Sequence, residues 1–185
     1  MARTIATVIT VAVLLGVLAL MYRSWRGRGR RDAALPAGYP LPVDAGAELA
    51  SVAVFYVATT LRGRPLERLN ISGLGFRARA RLAVTEAGVM LVLAGEETVF
   101  IPDAAIQVLE DATYAIDRVV EPDGLLLLGW RLAGPTTGAS RVDEPQTVDS
   151  YFRVLDPSDR VKLNDAIRTI AADALRPATH DESEA

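Results

Sequence analysis

Cysteine is absent from the 185 residues. That excludes disulfides, a thiolate metal site and a thiol nucleophile, and it fits any redox compartment. Histidine occurs once, as His180 in a polar C-terminal stretch, where it is not expected to act as a base or a ligand. Lysine also occurs once, as Lys162, so the basic residues are almost all arginine. Aromatic residues make up only 6%. No Ser-His-Asp, Cys-His, zinc-ligand or P-loop arrangement is present. Gly73-Leu74-Gly75 is a G-x-G, but no helix of a βαβ unit follows it, so it reads as a turn rather than a nucleotide site. The acids Asp103, Glu110, Asp111, Asp117, Glu121 and Asp123 match no calcium-loop spacing and read as a solvated acidic surface. The chain thus reads as non-enzymatic, with no cofactor, no metal and no nucleic-acid partner.

What is present is uneven. Residues 1–81 hold 12 arginines against 4 acids, whereas residues 82–185 hold 8 basic residues against 19 acids. The net charge of −3 conceals this split. A basic region beside a membrane is drawn to anionic headgroups.

Ile5 to Tyr22 runs 18 residues without a charge. As a helix it is about 27 Å long, close to the ~30 Å of a bilayer core. Its threonines can bond back to the helix backbone. Tyr22 and Trp25 stand where aromatic rings favour the interface. Only Arg3 precedes the span, whereas Arg23, Arg26, Arg28, Arg30 and Arg31 follow it. The positive-inside rule places the N-terminus outside and the remainder in the cytoplasm, anchored by these residues at the interface of the cell membrane. A cleaved signal peptide is the rival reading. It calls for a basic n-region, a shorter apolar core and an Ala-x-Ala-like site, whereas Met-Tyr-Arg-Ser-Trp-Arg follows here. Ala12 and Gly16 form a small-xxx-small pair of little weight.

Four segments are expected: an anchor over 1–25, a Gly/Pro/Arg-rich extended tether over 26–47, a folded domain over 48–176 and a disordered polar tail over 177–185. In the domain, Ser51–Leu61 reads as a strand and residues 62–75 as a loop broken by Gly and Pro. Phe76–Thr85 alternates. Phe76, Ala78, Ala80, Leu82 and Val84 are expected to face the core, and Arg77, Arg79, Arg81, Ala83 and Thr85 solvent. Val89–Ala94 and Thr98–Ile101 follow across tight turns, completing an antiparallel meander. Ile106–Asp111 is a further strand, residues 117–123 lead into a Pro-Asp-Gly turn, and Leu125–Leu132 is a buried strand containing Trp130. The indole of Trp130 needs a partner. Residues 134–146 read as a loop. Thr147–Leu155 alternates with its register open, Tyr151 or Phe152 facing inward. Asp156 and Pro157 start a helix with Leu163, Ala166, Ile167, Ile170 and Ala174 on one stripe, ended before Pro177.

About seven strands and one covering helix make a mainly β (α+β) domain, and this plan resembles the pleckstrin-homology-like superfold: a seven-stranded bent antiparallel sheet or barrel capped by a C-terminal helix. The stretches ARARLAVTEAGVMLVL, FIPDAAI, ATYAIDRVVEPDGLLLLGWRL and VDSYFRV are similar to a small family of actinobacterial single-pass membrane proteins with a bacterial PH-like domain, loosely labelled export or transporter proteins. The resemblance implies the fold and the anchor, and no catalytic residues. One membrane helix cannot form a transport path.

Two surfaces follow from these expectations. A PH-like domain tethered at the inner leaflet is expected to recruit a protein or peptide at a sheet edge or beside the capping helix, as a non-enzymatic binding and scaffolding module. Alternatively, Arg77, Arg79 and Arg81, about 7 Å apart on one strand face, join Arg62, Arg64 and Arg68 of the preceding loop in a surface for anionic lipid headgroups or acidic segments. The plainer reading of the same arginines is a solvated strand face paired with Glu96, Glu97 or a neighbouring strand's acids.

Overall fold

In a computed structural model of the chain, residues 2–32, 38–71, 73–115, 118–119, 124–133 and 146–175 are described, without the side chains of 2, 3, 6, 8, 25–32, 114, 115, 118 and 119. The element order is helix α1 (Ala2–Asp32), strands β1 (Glu48–Leu61), β2 (Arg64–Arg68), β3 (Ala78–Thr85), β4 (Gly88–Leu93), β5 (Val99–Pro102), β6 (Ile106–Ala112), β7 (Tyr114–Ala115), β8 (Arg118–Val119), β9 (Leu125–Arg131) and β10 (Thr147–Arg153), and helix α2 (Pro157–Ile170). A 3-10 turn over Asp103–Ala105 joins β5 to β6.

The 14 residues of β1 organise the domain. Its first half pairs with β3, up to Tyr56 opposite Ala78. Its second half pairs with β10, from Phe55 opposite Arg153 to Leu61 opposite Val148. Between Tyr56 and Ala58 the register slips. A bulge of this kind bends a strand and raises its twist, so one strand serves two halves of a curved sheet. The sheet order is β5-β4-β3-β1-β10-β9-β6, all antiparallel, with β2 beside β1. The first three strands of the path, β5, β4 and β3, are a meander through short turns. At Gly88 the backbone has φ +150, and a Cβ there would lie 2.8 Å from the Pro102 Cα. Only glycine suits that crossing.

The inner face carries Val52, Val54, Tyr56, Leu82, Leu91, Ile101, Leu128, Trp130 and Phe152, all buried. Trp130 finds its partner in Ser150, with Nε1 to Oγ at 2.9 Å. α2 closes the open side with Leu163, Ala166 and Ile167. Asp156 caps it, its side chain accepting from the Ser158 N–H at 2.8 Å. Hydrogen bonding to Ser158 holds the Asp156 carboxyl below its ordinary range.

Several expectations are corrected. Phe76 is 79% exposed rather than core, because β3 begins only at Ala78 and turns precede it. Ala83 and Thr85 are buried. Thr85 donates its hydroxyl to the Gly88 carbonyl at 3.1 Å, within the turn, and Ala83 sits between Ser51 and Met90 across the ladder. The expected loop over 62–75 contains β2. Phe152 faces the main core, while Tyr151 is buried on the opposite face with Leu125. The apolar stripe of α2 continues through Ala171 and Leu175, and Ala174 is exposed.

The N-terminal helix continues to Asp32, through the arginine-rich segment where a tether is expected. Arginine is a good helix former, and two glycines cost only about 1 kcal/mol each. Among the described residues no helix is long and apolar enough to cross a membrane. The side chains of α1 are described without a break only over 9–24, so the uncharged run of 5–22 extends beyond them.

The other half of the expected tether is not free. The Tyr39 N–H donates to the Phe100 carbonyl at 2.9 Å, forming a bridge on the outer edge of β5. The Tyr39 hydroxyl donates to the Arg131 carbonyl at 3.0 Å. Further on, the carbonyls of Ala45 and Ala47 accept from Ala87 and Glu86 of the β3–β4 turn. Residues 38–47 are thus a docked connector. The tail over 177–185 and the expected turn and loop at 120–123 and 134–145 lie outside the described residues.

Candidate functional site

Among the described residues the main path of the sheet ends at two edges, β5 and β6, with β2 beside β1 off that path. Tyr39 occupies part of the β5 edge. β6 has β9 as its one sheet neighbour among the described residues, and seven residues of it run along an edge. Beside this edge the end of α2 leaves a groove of about 140 Å³, lined by Gln107, Val108, Leu109, Glu110, Arg168, Ala174 and Leu175. Small-molecule sites are commonly about 300–1,000 Å³. This groove has room for a side chain of an extended segment, not for a cofactor. Its walls are mixed: Leu109 is buried, Val108 and Leu175 are half-buried, and Glu110 and Arg168 stand exposed.

The groove is held by contacts at the far end of β6. Arg160, in the first turn of α2, pairs with Asp111 and also donates to the Leu125 carbonyl at 3.1 Å. These ties fix the helix against the end of β6 and the start of β9.

The six arginines singled out in the sequence do not form one surface. Arg62 leans over Asp149, Nε to Oδ1 at 3.7 Å. Asp149 is buried on the outer sheet face beside Gly129, where a Cβ would come within 3.0 Å of its Oδ1. Burial pushes the Asp149 carboxyl above its ordinary value, Arg62 opposes this, and Glu110 adds to it. Arg64 pairs with Glu67 at 3.3 Å. Arg68 points back into the fold, donating to the Val57 carbonyl and to the Gly75 carbonyl at 3.0 Å. These three are committed to their own chain.

Arg77, Arg79 and Arg81 stand exposed on or just before β3, on the outer face as expected. Glu96 and Glu97 do not pair with Arg79 or Arg81: among the described residues neither arginine has a carboxylate partner. Arg79 lies over the Phe55 ring, 5.8 Å from its centroid. Arg81 approaches the Ser51 hydroxyl at 3.5 Å and faces Ala53 and Val92 across the ladder.

Tyr22 and Arg23 are exposed on α1, whereas the side chains of Trp25, Arg26, Arg28, Arg30 and Arg31 lie outside the described ones. Among the described residues no three acids or histidines converge as metal ligands. Asp117, Glu121 and Asp123 lie outside them.

Sequence reasoning missed Tyr39, Phe55 and the groove. Tyr39 sits in a Gly/Pro-rich run with no period. Phe55 belongs to β1, whose alternation is interrupted by the bulge. The groove depends on where α2 lands, which no local pattern records. Residues 33–168 match the family described as bacterial PH domain-like, beginning inside the expected tether and taking in the docked connector. No curated protein matches the chain.

Proposed function

The chain belongs to the bacterial PH domain-like family, and we propose that it is a membrane-anchored, non-enzymatic binding module that takes an extended segment of a partner protein along β6. The observation that carries this reading is the asymmetry of the two sheet edges. The chain's own connector covers part of β5, while β6 borders a side-chain-sized groove against α2. Strand addition supplies main-chain hydrogen bonds for affinity, and alternate side chains entering a pocket supply selectivity. The groove offers more polar than apolar wall, with Glu110 and Arg168 exposed in it, and suits a segment that presents one polar side chain to it.

The anchor reading is supported by the uncharged run from Ile5 to Tyr22 and the arginines after it. Val11, Val13, Leu14, Leu15, Val17 and Leu18 all stand about half exposed or more on α1. Such a row is costly in water and suits lipid. The arginine balance supports a cytoplasmic side for the domain in this reading.

Peptides selected from a random library against the full-length protein in detergent test the binding site. Amide exchange is then compared with and without the selected peptide. Added protection over residues 106–112 and 168–175 is expected. Protection confined to other elements rejects the β6 site.

A further inference from the structure

Three of the six arginines are tied to the protein itself, and this isolates a narrower feature. On the outer face of β1, β3 and β4, Arg79 and Arg81 stand exposed beside Phe55, Ala53 and Val92, with Arg79 stacked on the Phe55 ring. Phe55 is 38% and Val92 40% exposed, so apolar surface lies open on both sides of the two guanidinium groups. No carboxylate pairs with either arginine among the described residues. A face of this kind has a cationic centre line along β3 with apolar residues on either side.

We propose that this strip is a second interaction surface, which lies flat on the anionic bilayer in which the chain is anchored. It is distinct from the β6 groove and rests on the anchor reading alone. Charge selects the occupant. Every charge among Ala53, Phe55, Arg79, Arg81 and Val92 is positive, and both arginines come from the stretch of sequence with 12 arginines against 4 acids. Arginine forks match phosphate oxygens, and aromatic rings settle at the headgroup level.

Tether length makes a weak contact sufficient. From Tyr22, α1 adds ten residues to Asp32, about 15 Å of helix. The chain onward to Tyr39 spans at most about 25 Å when extended. The docked Tyr39 therefore keeps the domain within about 40 Å of the lipid core, roughly one domain diameter. At the resulting effective concentration a few charge contacts bias the orientation of the domain.

The absence of cysteine allows a direct test. The full-length protein carries one fluorophore, attached through Ala53→Cys in the strip or through Val161→Cys at an exposed position on α2. Each form is reconstituted into vesicles containing a lipid-borne quencher. The vesicles are phosphatidylcholine alone or phosphatidylcholine with about one-third phosphatidylglycerol. Quenching of the strip probe is expected only in the anionic vesicles, with the helix probe unquenched in both. Arg79→Glu with Arg81→Glu abolishes the quenching of the strip probe. In the parent arginine background, about 0.5 M NaCl abolishes it as well, which tests the strip even if the double variant misfolds. Equal quenching of the two probes, or quenching of the strip probe indifferent to lipid charge and salt, overturns the proposal and leaves the arginines to an acidic protein or to solvent. Carbonate washing of the same vesicles scores the anchor separately. A chain that stays embedded while its strip probe is unquenched in anionic vesicles overturns the strip and not the anchor.

Discussion

The hydroxyl of Tyr56 donates to the carbonyl of Leu74 at 2.8 Å, linking the centre of the core to the turn before β3. The phenol has one proton, so the neighbouring Thr59 hydroxyl, 2.9 Å away, donates to Tyr56. Ser150 in turn donates to Thr59 at 2.8 Å and accepts from the Trp130 indole. Each hydroxyl thus accepts once and donates once, and the chain ends on a carbonyl. Burial pushes the Tyr56 phenol up to about 12, opposed by its hydrogen bond from Thr59 and by Arg68, so it stays a donor at any ordinary pH.

Breaking this chain in the middle leaves the Trp130 N–H buried without an acceptor. Ser150→Ala is expected to cost about 1–3 kcal/mol, or roughly 3–10 °C in Tm for a domain of this size. Tyr56→Phe, which removes the last hydroxyl and with it the bonds to Thr59 and Leu74, is expected to cost a similar amount. Thermal unfolding followed by tryptophan fluorescence checks both. Equal stability of Ser150→Ala and the parent protein shows that the network is dispensable.

Asp149 gives a pH-dependent prediction. Its carboxyl is raised in the folded state, so the folded form binds the proton more tightly than the unfolded form. Its ionisation therefore weakens folding as pH rises from below 3.8 through the raised value, and acidification restores that stability. Arg62 limits the loss. Arg62→Gln is expected to destabilise by about 1–2 kcal/mol at pH 7, the arginine being partly exposed. Relative to the parent protein, that deficit shrinks as pH falls through the raised carboxyl value. Denaturant unfolding at several pH values measures it, and a deficit independent of pH shows that the pair is not electrostatic.

At Gly88, where β4 begins against β5, any side chain meets both a left-handed φ and the Pro102 backbone. Gly88→Ala is expected to cost about 3 kcal/mol or more, because strain and overlap combine. The loss should appear in the denaturation midpoint. Parent-like stability shows that the β4–β5 crossing can relax.

Tyr39 holds the connector by two hydrogen bonds, to Phe100 and Arg131. Tyr39→Ala is expected to accelerate limited proteolysis within residues 33–47 severalfold, with at most a small change in the unfolding transition. An unchanged cleavage rate shows that the connector is held by Ala45 and Ala47 alone.

Much of the domain is legible in the sequence because it is locally encoded. The meander from β3 to β5 shows a period of two and glycine turns. α2 displays its cap, its proline and its stripe. β9 is an unbroken apolar run, and Trp130 announces a buried partner. What escapes is set by distance in the chain. β2 holds only two registered pairs with β1 and is pinned by Arg68 reaching the Val57 and Gly75 carbonyls. Its composition, with Pro65 and three charges, reads as a loop. The candidate site is legible in half. Spacing puts Arg79 and Arg81 on one outward face, but only the fold shows that Arg62, Arg64 and Arg68 have partners of their own.

The lack of cysteine also opens the topology of the chain to a clean measurement. A single Val161→Cys substitution is labelled with a membrane-impermeant maleimide in intact cells and after lysis, and the carbonate-washed membrane pellet is counted. Labelling only after lysis, with the chain retained in the pellet, is the predicted result. Labelling of intact cells, or recovery of the chain in the wash, contradicts a domain anchored at the inner face.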